Sequence, residues 1–268
     1  MLRKTANLSE EVEMVNRKVL EEFLEETFQV SSTPDVSYNG LQFEGKKTIK
    51  KLITGVDGTV EFFEEALKRK ADIVLVHHGI FWKGGEWKAI DKYAQEILEI
   101  LMKGELNLYA IHLPLDLHPE LGNNAQIAKK MGITIDDPFG QFLKQKIGVL
   151  GHLDKEISVA AFKKKVLDTI GPIITHLNFG KPKIRRIGIV SGGGWDSVTE
   201  PLVAEGEVDA ILTGEVIHQG VASCRQRKIH LISAGHYATE TFGVKATGAA
   251  IAEKFGIEHE FIDMPTGL

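Results

Sequence analysis

The sequence predicts an α/β protein made of internally duplicated α/β units with mainly parallel sheets. Short strands rich in Val, Ile and Leu alternate with amphipathic helices, which is the pattern of a parallel sheet covered on both faces. Two blocks of the chain also resemble each other at a constant spacing. The 268 residues are 43% hydrophobic and 26% charged, and this length and composition suit one large or two medium globular domains.

The first half of the chain predicts a helix followed by alternating strands and helices. The helix is predicted from an apolar stripe among Glu and Lys residues, formed by Val12, Val15, Val19, Leu20, Phe23 and Leu24. A stretch containing Pro and Gly, residues 31–40, ends this helical period. The elements expected after it are strands at 52–56, 71–76 and 108–111, and helices at 59–69 and 93–102.

The second half predicts a short α/β region and then a return of the strand–helix alternation. Residues 136–138, Asp-Asp-Pro, are expected to interrupt the chain, and strands are expected at 187–190 and 230–233. We therefore expect three segments along the chain. These are a first repeat with the N-terminal helix (1–135), a connecting α/β region without an inserted middle domain (136–186), and a second repeat (187–268).

The duplication is visible in two blocks that lie 124 positions apart. The block at 112–133 ends in Ile-Ala-Lys-Lys-Met-Gly-Ile, and the block at 236–257 ends in Ile-Ala-Glu-Lys-Phe-Gly-Ile. Upstream, residues 71–76 resemble residues 208–213 at a spacing of 137. The first half therefore carries 13 extra residues between its two blocks. Two matching blocks in the same order indicate a repeated α/β unit.

Charge and cysteine content narrow the classes of partner. The chain has 32 Lys and Arg against 37 Asp and Glu, a net charge of −5, and the only basic stretch is at 181–186. We therefore expect neither nucleic-acid binding nor membrane association. The single cysteine, Cys224, is expected to be an ordinary thiol, and one unpaired cysteine without a secretory signal favours a reducing, cytoplasmic location.

Adjacent histidines follow the most apolar strand of the first half. His77 and His78 come directly after residues 71–76, and ligands collect at the carboxyl ends of strands in open α/β sheets. Side chains of neighbouring strand residues point to opposite faces, but the turn that Gly79 permits can bring both imidazoles to one pocket. The alternative is one histidine in the core and the other in a loop.

Two further pairs of histidine and carboxylate follow later strands. Pro114 argues against a helix between His112 and Asp116, so we expect this pair on a loop, with a turn or cap aspartate as the alternative. His236 and Glu240 are spaced i, i+4 at the start of a predicted helix, which places them on one face. An exposed pair on a helix surface is the alternative.

Together the three clusters predict a metal site with five ligands, His77, His78, Asp116, His236 and Glu240. Imidazole and carboxylate suit Zn, Mn, Fe, Co or Ni alike, and two divalent ions per chain would give the usual hydrolytic arrangement. Glu215 lies where the repeat places His77 and His78, so it is either an outer or general-base residue of the site or a sheet-end glutamate.

A glycine-rich turn follows the strand expected at 187–190. Residues 191–196, Ser-Gly-Gly-Gly-Trp-Asp, would either bind an anion through backbone amides or form a tight strand–helix turn. The stretch lacks the Lys-Ser/Thr of a phosphate loop, which favours the turn.

Several motifs occur in an order that resembles one known family, the NGG-interacting-factor-three-like proteins, often labelled GTP cyclohydrolase I type 2 homologues. The motifs are Asn39-Gly40-Leu41-Gln42, Val76-His77-His78-Gly79, His112-Leu-Pro-Leu-Asp116, Gly122-Asn123-Asn124, Ser191-Gly-Gly-Gly and Gly235-His236-Tyr-Ala-Thr-Glu240. The resemblance implies a duplicated α/β fold, a toroidal homohexamer and a dinuclear metal centre held by the same five residues, with His112 beside it. The sequence differs from the family pattern at Ser37-Tyr38-Asn39, where the family usually has Trp-Asp-Asn. A role of that Trp or Asp in the family is therefore not expected in this chain.

These observations predict a metal-dependent hydrolase that acts on a nucleotide or another small polar substrate. A metal-activated water would be the nucleophile, and Glu240, Glu215 or His112 would carry the proton. The alternative is a non-catalytic metal-binding ring that acts in regulation, metal handling or protein interaction. A DHH-type phosphoesterase is disfavoured, because Val76 stands where that class has an Asp before two histidines.

Overall fold

A computed structural model describes residues 13–85 and 89–268 and shows the predicted mixture of helices with parallel strands. The elements of the first half are β1 (Val15–Asn16), α1 (Arg17–Phe28), β2 (Gly40–Phe43), β3 (Thr48–Ile49), β4 (Lys51–Asp57), α2 (Val60–Lys68), β5 (Ile73–His78), α3 (Lys92–Gly104), β6 (Asn107–Ala110), α4 (Leu113–Asp116) and α5 (Asn123–Lys130).

The elements of the second half begin with a long hairpin. They are β7 (Thr134–Phe142), β8 (Gln145–Ser158), α6 (Val159–Thr169), β9 (Thr175–Asn178), β10 (Lys183–Val190), a 3-10 helix (Gly194–Thr199), α7 (Pro201–Ala204), β11 (Ala210–Thr213), α8 (His218–Arg227), β12 (His230–Ser233), α9 (His236–Phe255) and β13 (Glu258–Phe261). Within the described ranges, no helix is both long enough and apolar enough to span a bilayer.

Two larger sheets organise the chain. The five-stranded sheet has the order β13-β4-β5-β6-β2, in which only the edge strand β2 runs antiparallel to its neighbour. The six-stranded sheet has the order β7-β8-β10-β11-β12-β9, in which β10, β11 and β12 are parallel and the other three strands pair antiparallel. A short antiparallel pair, β1 with β3, completes the pairing.

The aligned sequence blocks fall on matching elements. Strand β5 begins at Ile73 and β11 at Ala210, the two positions that the spacing of 137 equates. Strands β7 and β13 begin 124 positions apart, yet β7 joins the six-stranded sheet and β13 joins the five-stranded sheet. Strand β13, the last strand of the chain, thus joins the sheet formed by strands of the first half, and the matching starts of these elements are those expected from the sequence repeat.

The segment expected to connect the repeats contributes strands to a sheet. Most of β7, all of β8 and all of β9 come from residues 136–186, and all three strands belong to the six-stranded sheet. The division at 135 and 186 remains a prediction about sequence repeats.

Alternating side chains of the central strands build a core on each face of the five-stranded sheet. Ile73 and Leu75 pack on the face covered by α1 and α9, whereas Val74 and Val76 pack on the face covered by α2 and α3. Beside the six-stranded sheet, Cys224 of helix α8 is fully buried in the apolar core, and burial raises the pKa of its thiol to about 11.

The apolar stripe predicted for the first helix needs correction. Helix α1 begins at Arg17, after Asn16 caps it by accepting a hydrogen bond from the Lys18 backbone, so Val15 lies in β1. The buried face is Leu20, Leu24 and Phe28, and Val19 is exposed because it lies one position off that face. Val12 lies outside the described residues.

The prediction that residues 136–138 interrupt the chain is wrong. These residues lie inside β7, which has an irregular register between Ile135 and Asp137. Strand β7 is the edge of its sheet, and an edge strand tolerates a proline such as Pro138 because one of its sides pairs with no other strand and needs no N–H donor there.

The prediction of a loop between His112 and Asp116 is also wrong. Residues Leu113–Asp116 form the short helix α4, with Pro114 in its first turn. A first-turn proline costs little because backbone N–H groups there have no partner within the helix.

Candidate metal centre

The candidate centre lies where carboxyl ends of strands from both sheets meet. Strand β5 ends at His78, α4 follows β6 with Asp116, and α9 follows β12 with His236 and Glu240. His77 continues the face of Ile73 and Leu75, beneath α9, and is completely buried, whereas His78 keeps part of its side chain exposed. Both imidazoles nevertheless approach the same carboxylate.

Glu240 is the central residue of the site. Its Oε1 lies 3.1 Å from His236 Nε2 and 3.5 Å from His77 Nε2, and its Oε2 lies 3.4 Å from His78 Nε2. The i, i+4 spacing on α9 directs His236 and Glu240 to one face, as the sequence predicts.

Asp116 approaches the site from α4. Its Oδ2 lies 3.5 Å from His77 Nε2. Its Oδ1 accepts hydrogen bonds from Asn123 Nδ2 at 2.9 Å and Ser191 Oγ at 3.2 Å. One oxygen therefore fixes the carboxylate while the other faces His77.

Each of the three imidazoles is held through its Nδ1. His77 Nδ1 lies 2.9 Å from the Ile111 carbonyl oxygen, His78 Nδ1 lies 2.7 Å from Asp57 Oδ1, and His236 Nδ1 lies 2.5 Å from Glu215 Oε1. In a neutral imidazole these contacts place the proton on Nδ1 and leave the Nε2 lone pair facing Glu240. Such outer partners are usual for metal-binding histidines.

Two of the inward-facing atoms are buried without a hydrogen bond. Within residues 13–85 and 89–268, His77 Nε2 and Glu240 Oε2 are both solvent-excluded and unpartnered. Buried polar atoms are normally satisfied, so two ligand atoms left without a hydrogen bond in this cluster of imidazoles and carboxylates fit a bound ion. Two groups bring their ligand atoms within 4.8 Å of one another, His77 with His78 and His112, and His78 with His236 and Glu240. The donors fit a divalent transition metal.

The charges at the centre are strongly coupled. Burial alone would raise the pKa of Glu240, but the neighbouring charges of His78 and His77 and the contact with His236 hold it well below its usual range. Burial would lower the pKa of His77, yet Asp116 and Glu240 raise it to about 9. Burial would also lower the pKa of His236, but Glu240 and Glu215 raise it to about 9.

His112 joins the site through a residue that the sequence did not reveal. Its Nδ1 lies 2.8 Å from Asp35 Oδ1, and its backbone N–H donates to Asn39 Oδ1. Asp35 is buried, which would raise the pKa of its carboxyl, but His112 and the donors around it lower that pKa to about 2. Asp57, the partner of His78, was also missed. Its position at the carboxyl end of β4 is the signal that could have identified it.

The glycine-rich turn packs directly against Glu240. Gly192 has a φ of +60°, and an added Cβ there would collide with Glu240 Oε1 and lie 3.0 Å from His236 Nε2. The backbone N–H groups of Ser191, Gly192 and Gly194 donate to Asn124 Oδ1, Thr239 Oγ1 and Thr213 Oγ1. Because side chains of the protein occupy these three amides, the observed hydrogen bonds favour a tight turn over an anion site.

A cavity of about 500 Å³ opens beside the centre. The candidate ligands His78, Asp116, His236 and Glu240 line one side, together with His112. Its other wall is apolar and is formed by Trp82, Leu113, Phe142 and Ile147. The Trp82 ring lies 5.0 Å from that of His112, and its Nε1 donates to the Gly79 carbonyl oxygen, which fixes the indole at the entrance.

The structure thus brings all seven predicted site residues into one neighbourhood. His77, His78, Asp116, His236 and Glu240 surround the buried centre, and His112 faces the cavity. The Glu215 carboxylate lies at the outer nitrogen, Nδ1, of His236 and lines neither the centre nor the cavity among the described residues. Asp116 is the one predicted ligand outside both groups of clustered ligand atoms.

Comparisons with known proteins agree with this architecture. A protein from Pyrococcus horikoshii is 38% identical over 255 residues, which cover 95% of this chain and all of that protein, and one from Deinococcus radiodurans is 39% identical over 254 residues, covering 95% of each. Both are called GTP cyclohydrolase 1 type 2 homolog. The solved structure of protein ybgI, described as of unknown function, superposes with a TM-score of 0.87 at 34% identity, covering 95% of this chain and all of that one. The profile of the Duf34/NIF3 family matches residues 15–267, and the chain belongs to this family, Duf34/NIF3 (NGG1p interacting factor 3).

Proposed function

We propose that the protein is a metal-dependent hydrolase with a dinuclear centre, acting on a nucleotide or another small polar substrate. The observation that carries this proposal is the pair of buried, unpartnered ligand atoms, His77 Nε2 and Glu240 Oε2, beside an open cavity. A structural metal site would be closed by protein ligands, whereas a catalytic site keeps access for a substrate.

Five residues would hold the two ions. Glu240 lies within 3.5 Å of the imidazoles of His77, His78 and His236, and Asp116 lies 3.5 Å from His77, so these residues together would hold the ions. His78 borders both groups of ligand atoms. When bound, divalent ions would polarise the scissile group and lower the pKa of a water molecule.

His112 and Glu215 have different proposed roles. His112 faces the cavity while Asp35 holds its Nδ1, so its Nε2 is placed to accept or donate a proton. Glu215 is hydrogen bonded to His236 Nδ1 and therefore orients that imidazole. We assign proton transfer to His112 and retain Glu215 as the residue that positions His236.

The residues that line the cavity indicate which parts of a substrate they could bind. The relatives' name points to a nucleotide, but no Lys or Arg is among the residues found to line the cavity in the described chain. The polar reacting group of the substrate would therefore meet the metal ligands, and the rest of the molecule would meet Trp82 and Phe142. A nucleotide's phosphates would need the ions themselves for charge compensation.

We also propose that the protein is a cytoplasmic homohexamer with Zn, Mn, Fe, Co or Ni in the centre. Membership of the Duf34/NIF3 family and the motifs shared with it support the assembly. Native mass spectrometry of the full chain would test this, and a monomer at micromolar concentration would contradict it.

The deciding experiment is the metal content per chain of protein purified without chelator. We expect about two ions per wild-type chain by plasma mass spectrometry, and none in a His77→Ala/Glu240→Ala variant. His152→Ala is the matched control, because it removes another His–carboxylate pair, with Asp136, outside the centre. A wild type as empty as the double variant would contradict the metal site, provided that circular dichroism shows both proteins folded.

Activity requires a second measurement on metal-loaded protein. We expect turnover in a screen of nucleotides and phosphoesters, with His112→Ala lowering kcat while metal content is kept. Full metal occupancy without turnover or nucleotide binding would contradict the hydrolase and favour the non-catalytic metal-binding ring.

A further inference from the structure

A second cavity, of about 490 Å³, lies between helix α1 and the edge strand β2. None of the proposed metal ligands lines it, so it is separate from the centre described above. Its rim carries four carboxylates from one face of α1, those of Glu21, Glu22, Glu25 and Glu26. Its apolar part is formed by Val30, Leu41 and the ring of Tyr109.

Most of the negative charge on this rim is uncompensated. Glu21 accepts a hydrogen bond from Arg17 Nε at 2.8 Å, and Glu25 accepts from the hydroxyl and backbone N–H of Ser31. Glu22 and Glu26 make no ion pair with any residue that the structure describes. Of the four carboxylates, only that of Glu21 is paired with a cation among the described residues, and Glu44 also shares that guanidinium.

Tyr109 gives the cavity a polar group that carboxylates alone would not provide. The residue is only 3% exposed and lines the cavity, yet its hydroxyl makes no hydrogen bond to any of the described residues. Burial and the charges of Glu25 and Glu21 raise the pKa of this hydroxyl, so it remains protonated. The hydroxyl itself is not solvent-excluded, so it is open to a partner from the cavity that Tyr109 lines, and a ligand there can donate to its oxygen or accept its proton.

The combination of an apolar floor and an acidic rim selects the chemistry of that ligand. A bare divalent cation would gain nothing from Val30, Leu41 and the Tyr109 ring, and it prefers a shell of oxygen ligands. An alkyl chain ending in ammonium groups can contact the apolar floor, donate to the carboxylates and donate to the Tyr109 oxygen. We propose that this cavity binds an aliphatic diamine or a similar organic ammonium compound, a function beyond the proposed hydrolase activity.

The test is calorimetric titration of the full-length protein with cadaverine, 1,5-diaminopentane, at low ionic strength. We expect one molecule bound per chain, with an affinity that falls as salt is added. Tyr109→Phe should weaken binding about tenfold, because it removes one hydrogen bond to a charged group. The variant should fold normally, since the hydroxyl has no partner within the described structure to lose.

A charge-matched pair of variants separates the cavity from general attraction to an acidic protein. Glu22→Gln/Glu26→Gln should weaken cadaverine binding and flatten its salt dependence. Glu205→Gln/Glu253→Gln, which also removes two carboxylates but at exposed positions that do not line the cavity, should leave binding unchanged. Absence of binding, or equal binding by wild type and Tyr109→Phe, would overturn the proposal.

Discussion

At the scale of single residues, the candidate centre depends on hydrogen bonds that point away from it. Each of the three imidazoles that face Glu240 has its Nδ1 occupied by a carbonyl or carboxylate oxygen, so that Nε2 alone remains for a ligand. The carboxylate partners, Asp57 and Glu215, make no contact with Glu240 that the structure records. Their effect on metal binding must therefore pass through His78 and His236.

Asp57→Asn tests this indirect effect on His78. The substitution keeps the size of the side chain but removes the charge that holds Nδ1–H, so we expect metal affinity to fall about 10- to 100-fold. Competition with a chromogenic chelator measures the change. Asp136→Asn is the control, because Asp136 holds His152 in the same way outside the centre. Equal affinities of Asp57→Asn and wild type would show that the contact with His78 does not matter.

A second residue-scale prediction concerns acid stability. His176 Nε2 lies 3.3 Å from His230 Nδ1, and burial, together with the positive charges of His230 and Lys163, lowers the pKa of His176 to about 4. Between pH 4 and pH 6.5 the unfolded chain therefore binds more protons at this residue than the folded chain does. The free energy of unfolding should therefore fall as the pH drops from about 6.5 to about 4. Above about pH 6.5, His176 should make no contribution to the pH dependence of stability.

His176→Gln should remove part of that pH dependence. We expect the free energy of unfolding in urea to fall less between about pH 7.5 and about pH 5 for the variant than for wild type. At the higher pH the histidine is neutral in both the folded and the unfolded chain, so this comparison isolates the charge. An identical loss of stability in the two proteins would contradict the lowered pKa.

At the scale of secondary-structure elements, the turn after β10 positions the first part of α9. Gly192 has a left-handed backbone conformation, and its missing side chain leaves room for Glu240. Gly193, the next residue, has a φ of −84°, and the space that a Cβ would occupy there is open. The two neighbouring glycines therefore differ in what a methyl group would meet.

Gly192→Ala should destabilise the fold by about 2 kcal/mol and also displace Glu240. We expect bound metal to be lost even where the variant remains folded, because the new Cβ collides with the carboxylate at the centre. Gly193→Ala should keep both stability and metal content. Chemical denaturation and plasma mass spectrometry measure the two quantities, and retention of metal by Gly192→Ala would show that the turn can move away.

The elements that the sequence predicted well are those with local signals. The helices at 59–69 and 93–102 were recognised from their apolar period, and the structure places α2 and α3 there. Strand β7 and helix α4 were missed for the opposite reason, since Pro138 and Pro114 normally interrupt such elements. An edge position and a first-turn position make these prolines acceptable, and neither position can be recognised before the fold is known.

The residues of the candidate site were predicted or missed for the same reason. Strand-end histidines and the i, i+4 pair were found because their signal is local. Asp35 and Asp57 were missed because they contact His112 and His78 from positions 77 and 21 residues away along the chain. Long-range partners of this kind are set by the packing of strands and loops, which the spacing of residues does not encode.

At the scale of the whole molecule, the two halves of the chain are joined by strand β13 and by the candidate centre. Strand β13 pairs with β4 although it lies at the far end of the chain. The candidate ligands are divided in the same way. His77, His78 and Asp116 come from the first half, whereas His236 and Glu240 come from the second.

Because the ligands come from both halves, metal should stabilise the molecule as one unit. Metal that binds only the folded chain adds about 2.7 kcal/mol at a free concentration about 100 times its dissociation constant, which corresponds to a rise in Tm of about 5 °C. We expect removal by a chelator to lower Tm by that amount in a single transition, and added metal to restore it. The His77→Ala/Glu240→Ala variant should show no metal-dependent change. A chelator-induced loss confined to an early partial transition would instead mean that the ions stabilise one half alone, and the centre would then not couple the two sheets.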